Sequence, residues 1–335
     1  MQVLRLHSTD GLRLHDEPVP SPSEGEELLR ITAVGICGSD LHWLEEGSIG
    51  DAVLGSPLVL GHEFAAVVAS GKREGLRVAV DPSIPCGQCR YCRDGNTNLC
   101  SGLRFAGHGS EDGALRTFMA WPARRLHAIP DSFSDEAGAL LEPLGVAIHA
   151  VDLGKIKDGS RVGIFGCGPI GLLIAQVAIA RGAKIVLATE PVAIRREAAL
   201  LFGAAIALDP KAKGFPEELR RASAPDGLDV AFEASNDSRA VQDAVDAVRP
   251  GGRVVVTGIP SDDRILLQAS TVRRKGLTLL LTRRMREVYD RAIDLVARRK
   301  VDLDGLVTHR FDLSAFPEAF DTAQRRTGHK VIIKP

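Results

Sequence analysis

Six cysteines are spread unevenly through the chain: Cys86, Cys89, Cys92 and Cys100 crowd into one stretch, while Cys37 and Cys167 stand apart. Two-residue gaps followed by a longer return let a loop wrap one ion so that four thiolates complete a tetrahedron, with no position left for a substrate. These four are expected to hold a structural zinc. Such crowding inside a cell reads as metal binding rather than as a disulfide framework.

Cys37 belongs to a different pattern. It sits in Gly35-Ile-Cys37-Gly-Ser39-Asp-Leu-His42, and a histidine-acid pair, His62-Glu63, follows Leu60-Gly61. One thiolate, one imidazole and one carboxylate are the mixed donors of a catalytic zinc, where water or substrate takes an open position. Singly, each has a plainer reading: a lone cysteine near the end of an apolar strand is more often core, and a His-Glu pair an ordinary turn.

A third pattern is nucleotide chemistry. Arg161-Val-Gly-Ile-Phe165 runs into Gly166-Cys167-Gly168-Pro169-Ile170-Gly171 and on into apolar Leu172 to Ala180, the strand, turn and helix order that dinucleotide binding needs. Gly166 would make the turn, Gly168 admit the pyrophosphate, and Gly171 let helix pack on strand, while the helix N-terminus offers its N–H groups to phosphate. A second strand, Lys184 to Thr189, ends in Glu190, placed to accept from both adenosine ribose hydroxyls and to repel a 2′-phosphate, so NAD is expected over NADP. Arg195 and Arg196 keep the phosphate reading open, because a guanidinium there can pair with it or simply lie on a solvated helix face. Cys167 fills an unrestricted turn position and reads as packing.

These residues need a scaffold. Up to about Leu141 the chain alternates short apolar runs with Gly, Pro, Asp and Ser turns, the texture of a β-rich region. From Arg161 apolar strands alternate with helical stretches (Ile170 to Ala180, Ile194 to Phe202, Val241 to Val248), which implies a parallel sheet covered on both faces. An amphipathic segment at Glu287 to Arg299 and a strand-like tail at Lys330 to Lys334 follow, and the tail can rejoin the first region. The boundaries read as 1–145, 146–282 and 283–335. At 335 residues, two domains are expected, and 44% hydrophobic with 25% charged residues fits a packed protein in water. A net charge of −1 offers no field for nucleic acid or an anionic membrane, so small ligands are the expected partners. Met1 to His7 shows no secretory pattern and Ile170 to Ala180 is too short to span a bilayer, so a cytoplasmic protein is expected.

Taken together, Gly35 to His42, Gly61-His-Glu63, the four-cysteine loop and the Gly166 to Gly171 turn resemble the zinc-containing medium-chain dehydrogenase/reductase family. Gly47-Ser-Ile-Gly-Asp51, Glu142-Pro-Leu-Gly-Val146 and Val307-Thr-His-Arg-Phe311 look like stretches of its sorbitol (polyol) dehydrogenase branch. The resemblance implies an α/β fold: a GroES-like β-rich catalytic domain with a structural zinc lobe, a Rossmann doubly wound domain for NAD, and a return segment completing the first. It implies that Cys37, His62 and Glu63 bind a catalytic zinc, with Glu142 binding it directly or through water, and that Ser39 and His42 relay a proton through the nicotinamide ribose. Trp43, Glu46, Phe105, His108 and Arg283 become the substrate contacts. Trp43 and Arg284 stand where polyol dehydrogenases commonly carry tyrosine, which points away from sorbitol itself and toward another polyol, a sugar acid or a cyclic alcohol. The implied activity is oxidation of a polyol or secondary alcohol to the ketone with NAD, in a homodimer or homotetramer. Two other readings stay open: an amino-alcohol dehydrogenase, since Thr189-Glu190-Pro191 resembles threonine dehydrogenases, and a non-catalytic protein that binds NAD and zinc.

Overall fold

The computed structural model describes residues 1–7, 11–50, 52–260 and 263–335, so Asp51, the last residue of one of the stretches compared above, lies outside the described residues. The chain divides into two units, Met1–Glu142 with Tyr289–Ala297 and Leu303–Pro335, and Pro143–Val288 with Arg298–Asp302.

Among the described residues, the main sheet of the first unit runs in the order Leu126–Ala128, Arg77–Val80, Glu63–Val68, Glu26–Gly35, Lys330–Lys334 and Val307–Asp312, and Phe118–Pro122 also pairs with Glu26–Gly35. The C-terminal tail is therefore an integral strand. Its core gathers Leu29, Ile31, Phe64, Val78, Trp121, Val331 and Ile333, residues far apart in sequence that the sheet brings together. The Glu26–Gly35 strand is more buried toward its C-terminal end, where it delivers the chain to Cys37. The segment around Glu287 to Arg299 forms the helix Tyr289–Ala297, anchored by Tyr289 and Ala292.

The second unit holds six parallel strands in the order Ala207–Leu208, Lys184–Thr189, Arg161–Phe165, Leu228–Glu233, Val248–Val256 and Thr278–Leu281. The chain starts at the sheet's centre, winds to one edge, returns and winds to the other, which opens a crevice at the carboxyl ends of the central strands. The α/β architecture read from the sequence is the one observed. The apolar run after the glycine turn is the helix Pro169–Ala180, buried from Gly171 to Ala178. Among the described residues no helix is long and apolar enough to cross a membrane.

Candidate active site

Sheet register assembles the site. Gly35 pairs with Glu63 on one side and with Ile332 on the other. Two residues beyond Gly35, Cys37 leaves the strand in an extended conformation and caps the helix Gly38–Glu46. Gly61 makes the turn into His62 with φ of +90°, and a Cβ there would fall 2.8 Å from Val34 Cγ1, so backbone freedom and space both require glycine. The outcome is that donor atoms of Cys37, His62 and Glu63 all lie within 4.8 Å of one another.

The ring of His62 is oriented from behind. Its Nδ1 lies 3.6 Å from Asp40 Oδ1, and its Nε2 lies 3.4 Å from Ser39 Oγ. Asp40 is buried and accepts from the Cys37 N–H at 2.8 Å and the Gly61 N–H at 3.2 Å, tying both ligand-bearing segments to one carboxylate. Burial works against the charges of this pair, yet Asp40 and Cys37 hold the His62 imidazole well above its ordinary value, and His62 holds the Asp40 carboxyl below its own. A half-buried thiol, a buried imidazole and a buried carboxylate within one small sphere are donors suited to a divalent cation of borderline softness, and zinc fits them.

Glu142 is buried in the first turn of the helix Leu141–Gly154 and is not among the three residues whose donors converge. Burial, followed by the Asp81 and Glu142 carboxylates, pushes the Tyr289 phenol far above its usual value, so Glu142 lies toward that buried ring. His42 is hydrogen-bonded to Glu46 at 2.9 Å on the partly exposed face of its helix. Phe105 sits 5.4 Å from the His62 ring, and in the same unit Trp43, fully buried, meets His108 edge-on at 5.5 Å. Arg283 is exposed in the second unit.

Cys86, Cys89, Cys92 and Cys100 form a separate cluster with their sulfurs within 4.8 Å of one another. Short local turns do the work: the Cys86 N–H points at Cys100 Sγ (3.3 Å) and the Cys89 N–H at Cys86 Sγ (3.4 Å). Backbone N–H groups, that of Cys92 first, pull the Cys89 thiol down, whereas desolvation and the adjoining Cys89 push Cys92 up. Four cysteine sulfurs gathered this closely are donors suited to a tetrahedral zinc.

In the second unit Gly171 packs so closely on the turn that any side chain there would collide with the Gly166 carbonyl. Glu190, buried at the end of Lys184–Thr189, accepts from the Cys167 N–H at 2.9 Å and the Val192 N–H at 3.0 Å, fixing the turn that holds Gly166 to Gly171. Arg196 is spent on the Glu190 and Pro191 carbonyls at 2.8 and 2.7 Å. Arg195 lies over the turn, with Nη1 3.8 Å from where a Gly168 Cβ would stand. Pro169 and Ile170 open the helix, half-buried at its N-terminus.

Two groups at the site went unread in the sequence. Asp40 carried a signal, since an acid three residues into a helix begun by Cys37 is placed to accept that residue's N–H. Lys330, ion-paired with Glu63, carried none.

Comparisons with known proteins agree with this picture. Residues 23–131 match the family model of the alcohol dehydrogenase GroES-like domain, and residues 169–298 that of the zinc-binding dehydrogenase. The chain is 34% identical to the sorbitol dehydrogenase of Bacillus subtilis (strain 168), covering 100% of this chain and 97% of that one. It is 36% identical to the sorbitol dehydrogenase of Macaca fascicularis, over 99% and 95%. A zinc-binding dehydrogenase candidate from Sinorhizobium meliloti 1021, solved bound to NADP, superposes with a TM-score of 0.90 at 30% identity, over 100% and 99%.

Proposed function

The chain belongs to the zinc-containing medium-chain dehydrogenase/reductase family, in its sorbitol-dehydrogenase-like branch, and from that premise we propose how its own residues carry out zinc- and nicotinamide-dependent polyol oxidation. The observation that carries the reading is the convergence of Cys37, His62 and Glu63 beside the Ser39 hydroxyl. Cys37, His62 through Nε2, and Glu63 would hold the catalytic zinc, and Glu142 would act on it from the start of its helix; the four-cysteine cluster would hold the structural one. When bound, zinc supplies a Lewis acid that acidifies a substrate hydroxyl, and NAD supplies the ring carbon that accepts hydride.

The remaining steps belong to side chains. Asp40 keeps His62 Nδ1 engaged, which leaves Nε2 for the metal. Ser39 Oγ receives the substrate proton, and His42, half-exposed and paired with Glu46, releases it to solvent. Trp43, Phe105 and His108 form an aromatic wall that excludes water. We assign a polyol or related secondary alcohol to this site rather than sorbitol specifically, because Trp43 brings an indole where tyrosine is common. An amino-alcohol reading draws no support from Thr189-Glu190-Pro191, whose Thr189 carbonyl and Glu190 carboxylate are engaged with the nucleotide turn.

NAD is the assigned cofactor. The Glu190 carboxylate keeps lone pairs for a ribose diol beyond its two backbone bonds, and its charge repels a 2′-phosphate. Arg196 is committed to the backbone carbonyls of Glu190 and Pro191 and to Asp209, at 3.4 Å. Thiol ligation at both metal sites suits a reducing compartment such as the cytoplasm. Leu281, 68% exposed on the edge strand Thr278–Leu281, supports a homodimer or homotetramer, which sedimentation would read directly. The decisive experiment mixes purified zinc-loaded protein with a panel of polyols, sugar acids and threonine, each with NAD and with NADP. Appearance of nicotinamide absorbance with polyols and NAD is expected, and its absence across the panel would sink the reading.

A further inference from the structure

Lys330 is a buried charge that the chemistry above leaves unused. It is 2% exposed, its ammonium donates to the Ile36 carbonyl at 2.8 Å, and it is ion-paired with the Glu63 carboxylate. The sheet builds this contact. Glu63, Gly35 and Ile332 stand side by side on three adjacent strands, and Lys330, two residues before Ile332, shares its face. Gly35 clears the space between them: a Cβ there would lie 2.9 Å from Lys330 Cε and closer still to a Glu63 carboxylate oxygen.

We propose that Lys330 is a positioning residue that makes Glu63 a shared ligand, one carboxylate oxygen staying with the ammonium while the other is left for zinc. The inference rests on the reading of Cys37, His62 and Glu63 as zinc ligands. Its consequence follows from charge. Zinc with one thiolate, one carboxylate and a neutral imidazole forms a site of zero net charge, and an adjoining ammonium makes it cationic. A carboxylate shared with an ammonium donates less to the metal than an unshared one, so the metal is held less tightly and polarises a substrate hydroxyl more strongly. Without Lys330, Glu63 is a buried carboxylate lacking a counter-charge and binds the metal harder. Asp40 acts in the opposite sense, since a carboxylate behind a histidine raises that ligand's basicity. Two outer groups thus set the metal's acidity from opposite directions.

The test uses purified holoenzyme: wild type, Lys330→Met, Lys330→Arg, Glu63→Gln and the Glu63→Gln/Lys330→Met double variant. Zinc retention is measured against a competing chelator, with the four-cysteine zinc as the internal control for folding. The visible spectrum after cobalt replacement and the pH profile of kcat/KM complete the readouts. Lys330→Met is expected to retain the Cys37-site zinc about tenfold more tightly, the scale on which outer partners act. Its cobalt bands shift, and the acidic limb of kcat/KM moves up by about one pH unit. Lys330→Arg restores wild-type retention, and in the Glu63→Gln background the lysine change has no further effect. Should Lys330→Met not accumulate as folded protein, Lys330→Gln carries the same expectation. Unchanged or weaker retention on loss of the ammonium overturns the inference. A wild type that binds only the four-cysteine zinc overturns the ligand reading itself, so the two failures are distinguishable.

Discussion

The four-cysteine cluster and the Cys37–His62–Glu63 cluster each bring their donor atoms within 4.8 Å of one another, yet they are built by opposite means. The first closes within residues 86 to 100, and backbone N–H groups of the same loop face its sulfurs. The second draws on two paired strands, Glu26–Gly35 and Glu63–Val68, and the groups that orient it, Asp40 and, from the far end of the chain, Lys330, are side chains buried behind the ligands. A closed thiolate tetrahedron needs only a loop of the right spacing. An open mixed site must hold one position free while keeping an imidazole and a carboxylate from collapsing onto each other, and that takes a sheet and a set of counter-charges.

The largest expected effect tests that separation. Cys37→Ala removes a ligand from the open site alone, so polyol turnover falls about a thousandfold or more, as the several kcal/mol supplied by a Lewis acid is lost. Zinc analysis should show one of the two ions gone while circular dichroism and the melting temperature stay near wild type. If both ions leave together, the two clusters are not independent and the comparison fails.

Next comes the complementary change. Cys100→Ser opens the closed cluster at its buried corner, and the cost should appear as stability: a fall in melting temperature of about 5–10 °C, with kcat of the molecules still folded close to wild type. Scanning calorimetry with and without added zinc checks this. A fall in kcat that outruns the loss of folded protein would show the cluster acting on chemistry.

How much of this was legible in the sequence follows the same division. The α/β fold and the nucleotide turn were readable because their signals are local: strand, glycine turn and apolar helix follow one another from Arg161 to Ala180. The four cysteines were readable by spacing alone. Cys37 and His62-Glu63 gained meaning only beside the other motifs, since neither stretch says that register will set Gly35 opposite Glu63. Lys330 lies 294 residues from Ile36, its backbone partner, and nothing in a lysine of a terminal strand announces burial against a carboxylate. Periodicity reports which face a residue takes; it does not report which charge waits there.

A smaller effect is expected at the nucleotide turn, where Glu190 joins local and distant roles. Glu190→Gln keeps one acceptor and loses the charge, so KM for NAD should rise on the order of tenfold while NADP use improves, because a charge-assisted hydrogen bond is replaced by a neutral one and the repulsion toward a 2′-phosphate disappears. Steady-state kinetics with both cofactors measures it. If the NAD-to-NADP ratio does not move, Glu190 serves only the turn through its bonds to the Cys167 and Val192 N–H groups, and cofactor choice lies with Arg195.

The smallest effect separates two lysines on one strand. Lys330 is buried against Glu63, while Lys334, four residues on and 44% exposed, pairs with Glu136 at 2.9 Å, where Arg310 also donates at 2.9 Å. Burial would raise the Glu136 carboxyl, but hydrogen bonds from Lys334 and Arg310 outweigh it and hold it at about 2. A carboxyl depressed in the folded state adds stability that is complete above its unfolded value near 4.5 and fades as pH falls through about 2. Glu136→Gln mimics the neutral acid, so it should lower unfolding free energy by about 1–2 kcal/mol at neutral pH, discounted because both cations reach solvent, with the gap from wild type closing as the acid limb is descended. Urea titrations at several pH values follow that gap. A gap independent of pH would mean that Glu136 contributes packing rather than charge, leaving Lys330–Glu63 as the only one of the two pairs whose charge has consequences.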